Sequence, residues 1–114
     1  MNTIEALAVR QLDAYNAANL DDFLACYHPE VRVFHGDTLS IEGTEAMRER
    51  YLALFSSWRF GASVPSRLSV GDHCVDYETY WRVDPETGVR DTGEILVRYT
   101  ERDGLIGTVQ FLGD

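Results

Sequence analysis

The hydrophobic residues of the chain change period, from helical spacing in the first half to alternation in the second. Over residues 3–18, apolar side chains recur at steps of three and four, which predicts an amphipathic helix. Its apolar face comprises Ile4, Leu7, Ala8, Leu12, Tyr15 and Ala18. Asn2, placed three residues before Glu5, is typical of a capped helix start. A second, short helix is predicted with Asp21 as its N-cap and with Pro29 as the residue that stops it.

A strand and a third helix complete the first half. Residues 31–35 alternate in the manner of a strand, and the face that ends in His35 is expected to point inward. Gly36–Asp37 is predicted as a turn. A third helix is predicted to begin at Gly43–Thr44, with Glu45 in its first turn. Its apolar stripe comprises Met47, Tyr51, Leu54, Phe55 and Trp58.

From Phe60 onward the period is close to two, and turn sequences separate four predicted strands. These strands span roughly residues 60–70, 73–83, 89–101 and 105–112. The separating turns are Gly71–Asp72, Asp84–Gly88 and Asp103–Gly104. The order is helix, helix, strand, helix and then an antiparallel meander. This order predicts an α+β fold with the helices gathered on one face of a curved sheet.

Composition excludes several classes of partner. A chain of 114 residues predicts a single domain, residues 1–114. The net charge of −9 argues against nucleic acid and anionic membrane surfaces. No apolar run approaches the ~20 residues that span a bilayer, and no signal-peptide pattern opens the chain, so a cytoplasmic protein is expected. Cys26 and Cys74 are expected to be free thiols, and no motif indicates a nucleotide, phosphate or metal cofactor.

Five segments resemble the SnoaL-like proteins of the NTF2-like superfamily, which includes the ketosteroid-isomerase-like enzymes. They are Gln11 to Tyr27, Val31 to His35, Ile41 to Gly43, Met47 to Phe55, and Arg102 to Leu112. The resemblance implies a cone, in which a strongly curved antiparallel sheet wraps three N-terminal helices around a mostly apolar pocket. It also implies a homodimer through the outer sheet face. Because the superfamily hosts many reactions on one scaffold, the resemblance is specific for the fold and weak for the reaction.

Steroid isomerases of this superfamily use a tyrosine, a carboxylate base and a protonated aspartic acid. The resemblance places the tyrosine at Tyr15, whose phenol would donate a hydrogen bond to a carbonyl or enolate oxygen. It places the base at His35, whose imidazole suits proton abstraction near neutral pH. Asp37 would orient this imidazole or act itself. The third position falls on or near Leu96, which carries no acid. Structural roles in the core, at the strand end and in the turn are the alternatives for Tyr15, His35 and Asp37.

The predicted pocket walls come from the third helix and from alternating strand residues. They comprise Tyr51, Phe55, Trp58, Tyr77, Trp81, Leu96, Arg98, Val109 and Phe111. Glu78 and Tyr80, on the opposite face of their strand, are expected at the dimer interface. Glu94 and Arg98 flank Leu96 on one strand face, which either meets the pocket as a polar pair or faces solvent; solvent is favoured, since unpaired charges are seldom buried.

The sequence therefore predicts a cofactor-independent enzyme that applies acid–base chemistry to a small hydrophobic carbonyl compound. In this prediction His35 moves the proton and Tyr15 stabilises the oxyanion. One alternative is a non-catalytic module that binds a small hydrophobic molecule in the same pocket, and the missing acid at Leu96 favours it. A purely structural dimer with a filled interior is a further alternative.

Overall fold

The computed structural model describes residues 2–113, and helices and strands cover most of them. The predicted domain, residues 1–114, also includes Met1 and Asp114, which lie outside the described residues. The helices are α1 (Thr3–Asn16), α2 (Leu20–Leu24) and α3 (Thr44–Ser57). The strands are β1 (Tyr27–His35), β2 (Thr38–Glu42), β3 (Arg59–Val70), β4 (His73–Val83), β5 (Arg90–Arg102) and β6 (Leu105–Leu112). The α+β class and the four-strand meander predicted from the sequence are confirmed.

The start of α1 follows from local hydrogen bonding, and the start of α2 corrects the sequence-based prediction. The Asn2 side chain accepts a hydrogen bond from the backbone N–H of Glu5 at 2.9 Å, as expected of an N-cap. In α2 the N-cap is Asn19, which accepts from the N–H of Asp22 at 3.0 Å, and not Asp21. Pro29 does not stop this helix, because the chain has already entered β1.

The six strands form one sheet in the order β2-β1-β6-β5-β4-β3. Neighbouring strands are antiparallel except β1 and β6, which run parallel. The sequence did not predict β2, a short edge strand in which only Ile41 is buried. One buried apolar residue gives too weak an alternation to mark a strand.

The two faces of β4 are oriented opposite to the prediction from the sequence. Its Asp84–Val89 loop sets Val83 opposite Arg90, and this register places Cys74, Asp76 and Glu78 opposite Tyr99, Val97 and Ile95. Directly opposed residues share a sheet face, so the concave face of β4 carries Asp76, Glu78, Tyr80 and Arg82. The more apolar alternate residues, Tyr77 and Trp81 among them, face outward.

The core lies between the concave sheet face and the helices. It includes fully buried Ile4, Val31 and Val97. At the side of this core is a cluster of aromatic rings, three of them only partly buried, with centroid separations from 4.6 to 6.1 Å. It is formed by Tyr15, Phe23, Tyr27, Tyr51, Phe55 and Phe60. Cys26 and Cys74 are buried free thiols. Across residues 2–113, no helix has both the length and the apolar character needed to cross a bilayer.

Candidate functional site

Two adjoining compartments lie between the helices and the concave face of the sheet. The outer compartment has a volume of about 450 Å³ and the inner one about 60 Å³. Both are lined by Tyr51, Glu78, Arg82 and Phe111. The outer compartment is also lined by His35, Ile41, Arg50, Leu54, Trp58, Tyr80 and Ile95. The inner compartment is also lined by Gln11, Leu12, Tyr15, Phe23, Tyr27, Val33, Met47, Tyr99 and Val109.

Glu78 is the carboxyl group where the two compartments meet. Burial, and secondly the nearby charge of Asp76, raise its pKa to about 7, while the Arg82 guanidinium opposes the shift. Within residues 2–113, no side chain donates a hydrogen bond to this carboxyl group, and no cation lies within ion-pair distance of it. Glu78 can therefore take up and release a proton near neutral pH.

A bulge in β3 explains why Glu78 has no partner. Arg67 stands directly opposite Asp76, but the register of β3 shifts between Ser63 and Ser66. The two residues of the bulge, Val64 and Pro65, together stand opposite Glu78. Because neither residue carries a charge, the bulge cannot neutralise the Glu78 carboxylate.

Tyr15 lines the inner compartment from α1. Its ring packs edge-on against Phe60 at 4.6 Å and against Phe55 at 5.6 Å between centroids. Burial raises the pKa of the phenol, an effect that Arg82 partly offsets and that Glu78 reinforces. The Tyr15 hydroxyl therefore stays protonated and serves as a hydrogen-bond donor.

A network of neutral hydrogen bonds forms the floor of the inner compartment. The Tyr27 hydroxyl donates to Oε1 of Gln11 at 3.1 Å. Nε2 of Gln11 donates to the Tyr99 hydroxyl at 3.1 Å and to the carbonyl oxygen of Ala8 at 3.1 Å. Burial raises the pKa of both tyrosines well above the ordinary value, so both remain protonated. Tyr99 accepts from Gln11, which leaves its own O–H able to donate.

Tyr51 and His35 both line the outer compartment. Tyr51 projects from α3 and lines both compartments; burial raises its pKa to about 12. His35 lies at the exposed mouth of the outer compartment, where its ring stacks on Phe111 at 5.1 Å between centroids and an interplanar angle of 24°. His35 and Tyr15 therefore line adjoining compartments, and Glu78 lies at their junction. Asp37 is an exposed turn residue that lines neither compartment.

The nine predicted wall residues divide into three groups. Tyr51, Trp58, Val109 and Phe111 line the cavity. Phe55 packs behind the ring of Tyr15 and lines neither compartment.

Four predicted wall residues lie on the outer face of the sheet, where the prediction is wrong. Tyr77 donates a hydrogen bond to Glu94 at 2.6 Å on this exposed face, and it stands opposite Leu96. The guanidinium carbon of Arg90 lies over the Trp81 ring, 4.7 Å from the ring centroid. Both residues line an open cavity of about 430 Å³. Arg98 stands opposite Val75 on the same face. Glu94 and Arg98 thus face outward, the orientation that the sequence reading favoured.

Glu78 and Tyr80 line the cavity, although the sequence reading expected them at a dimer interface. The wrong expectation arose because the more apolar face of β4 was assigned to the interior. The hairpin register was the signal that could have corrected it: if Val83 opposes Arg90, Glu78 must oppose Ile95. Ile95 lies on the face of β5 that also carries Val97 and Tyr99, both buried.

Comparison with known proteins identifies the scaffold. The SnoaL-like domain model matches residues 8–108. No curated protein sequence matches the chain. Among solved structures, a Δ5-3-ketosteroid isomerase from Mycobacterium sp. aligns with a TM-score of 0.89 at 14% identity, covering 100% of this chain and 95% of that chain. A putative SnoaL-like polyketide cyclase from Jannaschia sp. CCS1 aligns with a TM-score of 0.82 at 18% identity, covering 98% and 85%.

A third similar structure is a computationally designed 17-OHP binder, with a TM-score of 0.89 at 13% identity and coverage of 100% of this chain and 95% of that chain. At these identities the solved structures show a shared fold only. The family model spans most of the chain, and it therefore shows family membership as well as fold. The chain belongs to the SnoaL-like family, and its curved sheet around N-terminal helices is the NTF2-like cone.

Proposed function

We propose that this protein catalyses a cofactor-independent proton transfer on a small hydrophobic carbonyl compound. The observation that carries the proposal is the Glu78 carboxyl group, which lies near Tyr15 and Arg82 in a cavity lined by both aromatic and polar side chains and has a pKa of about 7. Enzymes raise carboxyl pKa values into this range by burial, so that the group exchanges protons at neutral pH.

In the proposed reaction, the ionised Glu78 carboxylate removes a proton from the carbon next to the substrate carbonyl. The electron pair of the broken C–H bond forms the double bond of an enolate, and the carbonyl π pair moves to oxygen. The protonated Tyr15 hydroxyl donates a hydrogen bond to this oxyanion. The Glu78 carboxylic acid then returns the proton to a carbon of the enolate, and the carboxylate is restored.

The proposal assigns the proton transfer to Glu78 instead of His35. His35 is exposed at the mouth of the outer compartment, and there we propose that its ring contacts the bound molecule. Glu78 lies deeper, where less water reaches the carboxylate and electrostatic interactions are stronger. Asp37 has no part in the proposal, because it lines neither compartment.

Exchange of α-hydrogens with solvent deuterium tests the proposal. A panel of small cyclic ketones, including 2-tetralone, is followed by proton NMR with wild type, Glu78→Gln and Tyr15→Phe. We expect wild type to accelerate exchange of at least one ketone. Loss of a general base lowers such rates by about 10²–10⁴-fold, and loss of an oxyanion donor by about 10²-fold or more.

Glu94→Gln is the matched control, because Glu94 is a carboxyl group on the outer face of the sheet, hydrogen-bonded to Tyr77. This variant is expected to keep the wild-type exchange rate. Exchange no faster than in buffer with every ketone, or an unchanged rate in Glu78→Gln, contradicts the proposal. Far-UV circular dichroism confirms that each variant is folded.

A second function, binding without catalysis, is favoured by the size of the inner compartment. Its volume of about 60 Å³ holds about two water molecules, at ~30 Å³ each, and is too small for a ring system. A ligand confined to the outer compartment would contact Glu78 and Tyr51 but not the Tyr15 phenol. Saturable binding of a ketone without any α-hydrogen exchange would identify this second function.

We also propose a homodimer through the outer face of the sheet. Its support is a set of exposed apolar side chains on this face, with Leu96 44% and Leu112 37% exposed. Sedimentation equilibrium of wild type and Leu96→Glu tests it. A wild-type dimer that the substitution dissociates supports this interface, and a wild-type monomer at micromolar concentration contradicts it.

A further inference from the structure

We propose that the molecule bound in the outer compartment carries a carboxylate on a ring system, and that Arg50 and Arg82 bind this anionic group. This inference rests on the proposed function, because it names the substrate class of the same cavity. Arg50 projects from α3 and Arg82 from β4, and the two line the outer compartment from a helix and from the facing sheet. A ligand between them is contacted from two sides.

The two guanidinium groups have little else to bind. Within residues 2–113, ion pairs engage Arg32, Arg48, Arg67 and Arg102 instead. Arg50 donates a hydrogen bond of 3.3 Å to the Ser40 hydroxyl. Arg82 lies 5.1 Å from the centroid of the Tyr80 ring and also interacts with the Tyr15 hydroxyl and, through its charge, with Glu78. A guanidinium has five N–H donors in a fork that matches a carboxylate, so most donors of both arginines remain available.

The compartment keeps a positive charge whatever the protonation state of Glu78. Among residues 2–113, Glu78 is the one acidic residue in its lining, and the other ionisable side chains there are those of two arginines, two tyrosines and His35. A fully ionised Glu78 therefore leaves one positive charge without compensation. This local surplus contrasts with the net charge of −9 for the whole chain, which repels anions elsewhere on the surface.

The rest of the lining fits the ring system of the ligand. Trp58, Tyr51 and Phe111 present aromatic surface, and Ile41, Leu54 and Ile95 present aliphatic surface. The volume of about 450 Å³ lies within the range of ~300–1,000 Å³ typical of small-molecule pockets. An arginine pair beside aromatic walls recognises a molecule that is charged at one end and apolar along its body.

Binding of a matched pair of probes tests the inference. The probes are 2-naphthoate, which is an anion, and 2-naphthamide, a neutral molecule of nearly the same shape. Isothermal titration calorimetry at low ionic strength is expected to show 2-naphthoate binding at least about tenfold more tightly. Arg50→Gln and Arg82→Gln are each expected to lower 2-naphthoate affinity by about tenfold or more, and to change 2-naphthamide affinity little.

Arg48→Gln is the matched control, because Arg48 lies on the same helix but forms an ion pair with Asp21 at 2.9 Å, outside the cavity. It is expected to bind 2-naphthoate as wild type does. The inference is overturned if neither probe binds, if both bind equally, or if Arg48→Gln loses as much affinity as Arg50→Gln.

The outcomes separate this inference from the proposed function. A preference for 2-naphthoate that depends on Arg50 and Arg82, together with no ketone exchange, supports the anion site and contradicts the proposed catalysis. Exchange that depends on Glu78, together with equal affinity for the two probes, supports the catalysis and overturns the anion site.

Discussion

Two carboxyl groups on the same face of β4, two residues apart, have opposite surroundings. Asp76 is completely buried and receives hydrogen bonds from Nε and Nη2 of Arg67 at 2.6 and 2.9 Å. Glu78 lines a cavity and has no ion-pair partner within residues 2–113. The β3 bulge produces the difference, since Arg67 opposes Asp76, whereas the uncharged bulge residues Val64 and Pro65 oppose Glu78. A compensated carboxylate holds the sheet together, whereas an uncompensated one is available for chemistry.

Asp76→Ala is expected to have the largest effect on stability. It leaves the partly buried Arg67 guanidinium without a partner, and breaking a buried pair in this way costs about 3–5 kcal/mol of unfolding free energy. Urea denaturation measures the loss. The double variant Arg67→Met/Asp76→Leu removes both charges and should recover most of it. A loss below about 1 kcal/mol in Asp76→Ala would show that the pair contributes little.

Glu78→Gln is expected to stabilise the protein at high pH. The folded-state pKa of about 7 exceeds the ordinary value of 4.5, so the stability contributed by this group is fully present below pH 4.5 and is lost as pH rises through 7. The loss amounts to about 3 kcal/mol at pH 8. Glutamine does not titrate, so the variant should gain that amount relative to wild type at pH 8 and little at pH 4. Urea denaturation at both pH values measures it, and equal differences at the two would contradict the shift.

Arg82→Gln removes the nearby positive charge that partly stabilises the ionised form of Glu78, and so widens the difference between Glu78 and Asp76. The Arg82 charge lowers the pKa of Glu78, so its removal should raise that pKa above its wild-type value. Carbon-13 NMR of the labelled Glu78 carboxyl group measures the titration. Arg90→Gln is the control, because Arg90 lies over Trp81 on the outer face. An unchanged or lowered pKa in Arg82→Gln would show that the guanidinium does not act on Glu78.

Gly93→Ala should have the smallest effect on stability, below about 1 kcal/mol. Gly93 stands opposite Tyr80, and an added Cβ would meet the phenol end of that side chain, which can swing aside. Because Tyr80 lines the outer compartment, its shift should change ligand affinity several-fold, as measured by titration with 2-naphthoate. An affinity equal to that of wild type would show that the Tyr80 ring does not shape the binding surface.

The order and bounds of most elements were predictable because each rests on a local signal. Turn residues at Gly71–Asp72 and Asp103–Gly104 mark the starts of β4 and β6, and the predicted spans 73–83 and 105–112 match those strands. Phe111 is predicted to line the pocket from the alternation of its strand, and the family resemblance places Tyr15 in the same pocket; both line the inner compartment. Such alternation is visible in sequence because burial of apolar surface dictates its spacing.

The identity of the carboxyl group in the cavity was not predictable in the same way. On β4 the apolar residues face outward and the polar ones inward, so hydrophobicity alone selected Tyr77 and Trp81 over Glu78. The polar face is tolerated inside because Arg67 compensates Asp76, and because burial favours the neutral form of Glu78.

The sequence by itself determined the α+β order and the meander, because turn chemistry and apolar period act over short stretches of chain. The family followed from the resemblance of five segments to SnoaL-like proteins. Only the tertiary structure decided which face of β4 encloses the cavity, and that Glu78 and Arg82 lie beside Tyr15 within it. Those relations depend on strand register and on a bulge that pairs residues distant in sequence. A shift of one residue in register would exchange the two faces of the strand and place Glu78 in solvent.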